Sequence, residues 1–385
     1  MALKPERLRA PTPSVGEGVT MLELFFDLVF VFTITQLTGV VRDSHGATGY
    51  LHAGAILSIT WWMYDGYAWL SNNVGPNTLS TRIPMLVGMT GFLVMAIASP
   101  DAFGSAAWPF ALAYLVVVLV HALQFARSSQ GDSARAIRRI LPLNVSAPLL
   151  LVIAAIVGPD QGWIFWAIAA VTLLAALAPR SSRGFRLRPG HFAERHQLVI
   201  IIALGETIVA TGVSAQGRLR EAAVLVAVLL AMAFVSALWW VYFGGDDEAG
   251  ANALAGSLDD GEVGIGAWAF AGAHVFHVAG LVLVAAGLEE VILAPTHELS
   301  VRIAMTMAAG CATFLAGQAL YLRLLALPGR GWLLVGGCLA LAVGVLGHLG
   351  NGLTELAALV VILVCTVTVR AIRRRDQPSS AGSPS

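Results

Sequence analysis

Lysine is almost missing from this chain, since Lys4 is the one lysine among 23 basic residues, and charged residues of both signs make up only 12% of the 385. Formal net charge is zero, so there is neither a nucleic-acid footprint nor an acidic partner surface. Cysteine is scarce too. Cys311, Cys338 and Cys365 all fall within apolar stretches and lack metal-ligand spacing to histidine. That pattern excludes a disulfide framework and reads as small core residues. A P-loop, a dinucleotide glycine fingerprint, a Gly-x-Ser-x-Gly elbow and a His-Glu-x-x-His pair are absent. ATP-driven transport by this chain alone is therefore unsupported, and neither a cofactor nor a resident metal is expected.

The excess is in apolar length. Hydrophobic residues make up 57% of the chain and mean hydropathy is +0.77, the composition of a membrane protein whose first partner is the lipid bilayer. Residues 1–20 are polar and proline-bearing, and the next apolar run contains Glu23 and Asp27, so no cleavable signal peptide is expected. Stretches near the ~20 residues that a bilayer requires number about twelve. They lie at 21–41, 50–70, 83–99, 105–126, 140–158, 162–179, 192–213, 222–243, 263–287, 301–326, 332–350 and 353–371. With the amino terminus in the cytoplasm, every Lys and Arg except Arg42, Arg218, Arg220 and Arg302 falls on the inner face. This bias predicts an even number of spans and both termini inside. The acidic stretch 244–262 reads as a solvated inner loop, and 372–385 as a disordered cytoplasmic tail.

A register that lays Glu23 on Glu194 brings Thr35-Gln36 opposite Glu206-Thr207. Trp61-Trp62-Met63-Tyr64 ends the second span as Trp239-Trp240-Val241-Tyr242 ends the eighth. The expected architecture is an all-α polytopic transmembrane helix bundle of two six-helix repeats, 21–179 and 191–371, joined by a basic linker at 180–190 and preceded by a tail at 1–20. Because each repeat has an even number of spans, the two are parallel, an arrangement found in secondary transporters.

The stretch Glu23 to Thr35, and the stretch from His191-Phe-Ala-Glu194-Arg195 to Gly205-Glu206, look like the two signature motifs of the bacterial low temperature requirement protein A family, and both Trp-Trp pairs fit it. His196-Gln197 stands where that pattern has an aromatic and a small residue. The resemblance implies a multi-pass plasma-membrane protein of poorly defined activity, named for a cold-growth phenotype and not for a mechanism.

Chemistry must then be read from intramembrane polar residues, because a carboxylate in an apolar span costs roughly 2.5–3.5 kcal/mol on insertion scales and needs a partner, water or a function. Glu23 and Asp27 share a helix face at i,i+4 spacing. With Asp65, Glu194 and Arg195, and with Arg82 and Arg127 as candidate counter-charges, they form either a salt-bridge layer that fixes helix register or an inner gate. Glu206 lies ~18 Å into the seventh span, near the middle of a ~30 Å core. His274 and His277 reach a similar depth, and carboxyl with imidazole at mid-membrane suits proton or ion coupling. Gln36, His121, Gln318, Trp61, Trp62, Trp239 and Trp240 either line a cavity or serve packing: interhelical hydrogen bonds for the histidine and glutamines, an interfacial belt for the tryptophans. The favoured function is a proton- or cation-coupled permease for an unknown small solute or ion. A two-repeat cation channel is the rival, supported by a weak resemblance of Phe25-Phe26-Asp27-Leu28-Val29-Phe30 to the Phe-Ser-Asp motif of endolysosomal two-repeat potassium channels. An intramembrane enzyme, with Glu206 and His274 as acid and base, and a purely structural protein are further alternatives, and the sequence leaves the oligomeric state open. Single cysteines placed in 127–139 and 180–190 should react with an impermeant maleimide only when both termini are also accessible, and labelling of 180–190 from outside intact cells would overturn this topology.

Overall fold

The computed structural model describes residues 18–43, 46–75, 78–127, 131–176, 187–259, 263–347 and 349–375. Residues 1–17, most of the 180–190 linker and the tail from 376 onward lie outside the described residues, and with them the expectations attached to those segments. Among the described residues there is no strand beyond an isolated bridge between Glu298 and Asn351. Helices are α1 (Met21–Asp43), α2 (Thr48–Asn73), α3 (Leu79–Ala98), α4 (Ala107–Ala126), α5 (Gly131–Val157), α6 (Pro159–Ala176), α7 (Pro189–Ser214), α8 (Ala222–Phe243), α9 (Asp246–Asp259), α10 (Val263–Leu293), α11 (Val301–Leu324), α12 (Arg330–Gly347) and α13 (Gly352–Arg375).

Each expected apolar stretch coincides with one of these helices. Among the described residues, nine are long and apolar enough to cross a membrane: α1, α3, α4, α5, α7, α8, α10, α11 and α13. α2 is not among them, and the cause is composition, because its C-terminal half carries Thr60, Tyr64, Asp65, Tyr67, Ser71, Asn72 and Asn73, all of them buried. A helix with that much inward-facing polarity gives up bulk hydropathy to protein contacts. The acidic stretch differs from its expected loop form. Asp246, Asp247 and Glu248 occupy the first turn of α9, where carboxylates suit the positive end of the helix dipole. Gly245, with φ of 101°, makes the turn into it that a side chain would oppose.

Local signals explain several helix starts. Thr20 and Glu23 form a capping box on α1: the Thr20 N–H and hydroxyl donate to Glu23 Oε2 at 2.8 and 2.7 Å, while Thr20 Oγ1 accepts from the Glu23 N–H. Ser300 caps α11 through the Ile303 N–H. At the other end of a helix, Arg218 donates to the Ile292 and Leu293 carbonyls and closes α10.

The chain divides into two compact units. One comprises α1–α6, α7 as far as Ala203, and Ala251–Val275. Within it α2 packs on α1, α4 and α6, while α3 lies on α1 and α4. Its core is an aromatic cluster. Phe26 stacks on Tyr67 at 5.2 Å and meets Phe92 edge-on at 5.1 Å, and Phe30 lies 4.3 Å from Tyr64. Such pairs contribute about 0.5–1.5 kcal/mol each beyond area burial.

The other unit comprises Leu204–Gly250 and the chain from Phe276 onward. There α11 packs on α12, α12 on α13, and α8 on α13. Small residues set these approaches. A Cβ on Gly310 would come within 2.7 Å of the Val284 nitrogen and 2.8 Å of the Gly280 carbonyl, so α10 and α11 touch through bare backbone. Gly310→Val should lower stability by about 1–3 kcal/mol through overpacking, read as a lower unfolding midpoint in detergent; an unchanged midpoint would show that α10 and α11 part without cost.

Candidate functional site

Two ladders with the same spacing meet in the first unit. Glu23 and Asp27 are i,i+4 on α1, and His191 and Arg195 are i,i+4 on α7. Glu23 Oε1 lies 3.0 Å from His191 Nε2, and Asp27 Oδ1 lies 2.7 Å from Arg195 Nη2. Because both numbers rise together, the two helices run in the same direction through this layer. A third pair sits beside them, Asp65 Oδ1 of α2 at 3.3 Å from His196 Nε2. All six side chains are buried, and Arg195 is 0% exposed.

Arg195 is held from several sides. Its guanidinium lies 5.6 Å from the Phe26 ring centroid and 5.8 Å from that of Tyr64, both within cation–π range. Tyr64 donates its hydroxyl to Asp27 Oδ1 at 3.0 Å. Trp61 of the same helix donates to the Ala271 carbonyl at 2.7 Å, and Trp62 to Asn144 Oδ1 at 2.9 Å.

Hydrogen bonding places the two histidines in different surroundings. Arg188 donates its N–H to Asn72 Oδ1 at 2.8 Å, which fixes the Asn72 amide with Nδ2 as donor to the Arg188 carbonyl at 3.0 Å and to His191 Nδ1 at 3.5 Å. His191 Nδ1 therefore accepts, and its Nε2 faces Glu23 Oε1. His196 has different neighbours. Its Nδ1 lies 2.9 Å from the Phe192 carbonyl, an acceptor, so Nδ1 bears the hydrogen. Nε2 then faces the Asp65 carboxylate across 3.3 Å. The His274 ring is next to His196, with centroids 5.3 Å apart.

In the second unit a separate polar chain involves two expected residues. His277 Nε2 lies 2.9 Å from Gln318 Oε1, and Gln318 Nε2 donates to Asp246 Oδ2 at 2.8 Å. Arg370 Nη2 donates to the same oxygen at 2.6 Å, and Arg374 pairs with Asp246 Oδ1. Since the carboxylate draws the amide NH2 of Gln318 toward itself, the amide oxygen faces His277, whose Nε2 is the protonated nitrogen.

The other expected residues are placed as follows. Arg82 on α3 and Arg127 at the end of α4 are exposed, and the basic side chains found beside Glu23 and Asp27 are His191 and Arg195. Glu194 is half-buried at the edge of the layer and accepts from the Val19 N–H at 3.2 Å. Glu206 is half-buried in the second unit, whereas His274 belongs to the first and His277 to the second, both fully buried. Gln36 is half-buried. His121 ties α4 to α2 through the Gly66 carbonyl at 3.0 Å. Trp61 and Trp62 are buried, and Trp239 and Trp240 are 39% and 58% exposed. His191, His196, Asn72 and Tyr64 are site residues that residue type alone did not single out. The matching i,i+4 spacing of acids on α1 and bases on α7 was the available signal. Among the described residues no cluster of His, Cys, Asp and Glu could hold a metal.

Sequence comparison agrees with this membrane architecture. The family profile described as bacterial low temperature requirement A protein matches residues 18–371. An uncharacterized protein of Rhizobium meliloti (strain 1021) is 26% identical over 311 residues, which cover 77% of this chain and 75% of that protein.

Removing one member of a buried ion pair costs about 3–5 kcal/mol, far more than removing both. Asp27→Asn and Arg195→Gln should each lower the unfolding midpoint strongly. The double variant should be more stable than the sum of the two losses, and strict additivity would show that the pair is not coupled.

Proposed function

The chain belongs to the bacterial low temperature requirement A family, and from that premise we propose that it is a proton-coupled carrier of a small solute or ion in the bacterial plasma membrane. One observation supports this above the rest: the buried Asp65/His196 pair, an imidazole nitrogen 3.3 Å from a carboxylate oxygen beside a fixed ion pair. Of the layer's three carboxylates, Asp27 pairs with the fixed cation Arg195, whereas Glu23 and Asp65 face histidines. Asp27 and Arg195 neutralise each other, and Glu23 Oε2 accepts two hydrogen bonds from Thr20.

In this reading the aspartate–arginine pair holds α1 and α7 in register, and the aspartate–histidine pair beside it gains and loses the coupling proton. His274, edge-on to His196, is the next proton acceptor. Glu206 and His277 are further coupling residues, His277 with its hydrogen-bonded chain through Gln318 to Asp246 and the α13 arginines. Each carboxylate and imidazole changes charge on binding one proton, and a change of charge in a low-dielectric site alters which helix arrangement is favoured.

The test is proton and potassium flux in proteoliposomes under imposed pH and voltage gradients, with and without a panel of small solutes. His196→Gln, Asp65→Asn and Glu206→Gln should each abolish proton flux coupled to a solute while leaving expression and monodispersity intact, because none removes the Asp27/Arg195 pair. Flux that persists in His196→Gln would overturn the assignment of the proton site. Unitary currents would make the protein a channel, and no flux from well-folded wild type would overturn the carrier reading.

A further inference from the structure

Arg323 and Arg330 stand at the same end of α11 and α12, both exposed, and neither forms an ion pair among the described residues. Between them opens a recess of about 610 Å³ whose remaining wall is apolar and includes Ala316 and Leu334. A second recess of about 310 Å³ shares those two residues and continues along the same helices to Ala309 and Leu341. Together they form one groove with cations at one end and no charged residue in the rest of its lining.

The sequence builds the groove by helical period. On α11, Ala309, Ala312, Ala316 and Arg323 lie on one face, and on α12 so do Arg330, Leu334, Gly337 and Leu341. Small side chains keep its floor low, for a Cβ on Gly337 would rest 3.8 Å from that of Ala312. From Ala309 to Arg323 is ~21 Å along the helix at ~1.5 Å per residue. Half of a ~30 Å hydrocarbon core is ~15 Å, so the groove spans about one leaflet and reaches the headgroup level at its arginine end.

The chemistry that fits both ends is an anion carried on an apolar chain. Guanidinium groups bind phosphate oxygens in a forked geometry, and basic pockets at the headgroup level select anionic lipids. A zwitterionic headgroup brings its own cation to compete with both arginines. We infer that the α11/α12 groove binds one anionic phospholipid, with its phosphate on Arg323 and Arg330 and an acyl chain along Ala316, Leu334 and Cys338. This site is separate from the proton-binding layer and stands or falls independently of it.

Native cysteines report on it. Cys338 is exposed in the groove, Cys365 is exposed on α13 outside it, and Cys311 is buried. The full chain in nanodiscs of phosphatidylcholine, alone or mixed with phosphatidylglycerol, is treated with a membrane-permeant maleimide. Phosphatidylglycerol should slow Cys338 modification several-fold and leave Cys365 unchanged, and R323Q/R330Q should remove the difference while R323K/R330K retains most of it. Native mass spectrometry of the wild type should show retained phosphatidylglycerol, a readout that does not depend on any variant folding. Equal Cys338 rates in the two lipids, protection that survives R323Q/R330Q, or protection that depends on the number of chains per disc, as a second copy would give, each overturn the assignment.

Discussion

A guanidinium with no exposure to solvent, held against one carboxylate, is the constraint on which the first unit depends. Arg195 cannot shed its charge, and leaving it unpaired in an apolar bundle would cost several kcal/mol. Asp27 answers it at 2.7 Å, Tyr64 fixes Asp27, and the Phe26 and Tyr64 rings cover the cation. The ladder of Glu23 on His191 and Asp27 on Arg195 then admits one register between α1 and α7, because a slip by one residue would separate both pairs. Burying charge in this way favours one arrangement over its neighbours more than it adds stability.

Against that fixed pair, the two histidines show how differently neighbours can surround a chemically identical ring. His191 sits between an amide donor and a carboxylate. His196, five residues on, sits between a carbonyl and a carboxylate, both acceptors.

The second unit handles its arginines by depth. Arg370 is buried and paired with Asp246, as is the partly exposed Arg374, which draws α13 onto the start of α9. Arg323 and Arg330, at the helix ends and exposed, have only an apolar groove beneath them. The same side chain is thus a cross-link where protein supplies the anion and a lipid contact where the bilayer does.

Composition and apolar length determined the membrane character, the all-helical class and the placement of the long helices, because a bilayer accepts little else. The i,i+4 spacing of Glu23 and Asp27 likewise made a buried polar layer legible. Partner choice was not legible: the sequence pointed to Arg82 and Arg127 as counter-charges, and only tertiary structure brought His191 and Arg195 there. The sequence also held no sign that 246–259 becomes a helix, since acidic residues suit a solvated loop as well as a first turn, and a buried Asp246 needs arginines more than a hundred residues away. Tautomers depend on two or three atoms within hydrogen-bond reach. Such short-range, directional contacts between distant segments are what folding adds to a pattern that hydrophobicity, being non-directional, already sets.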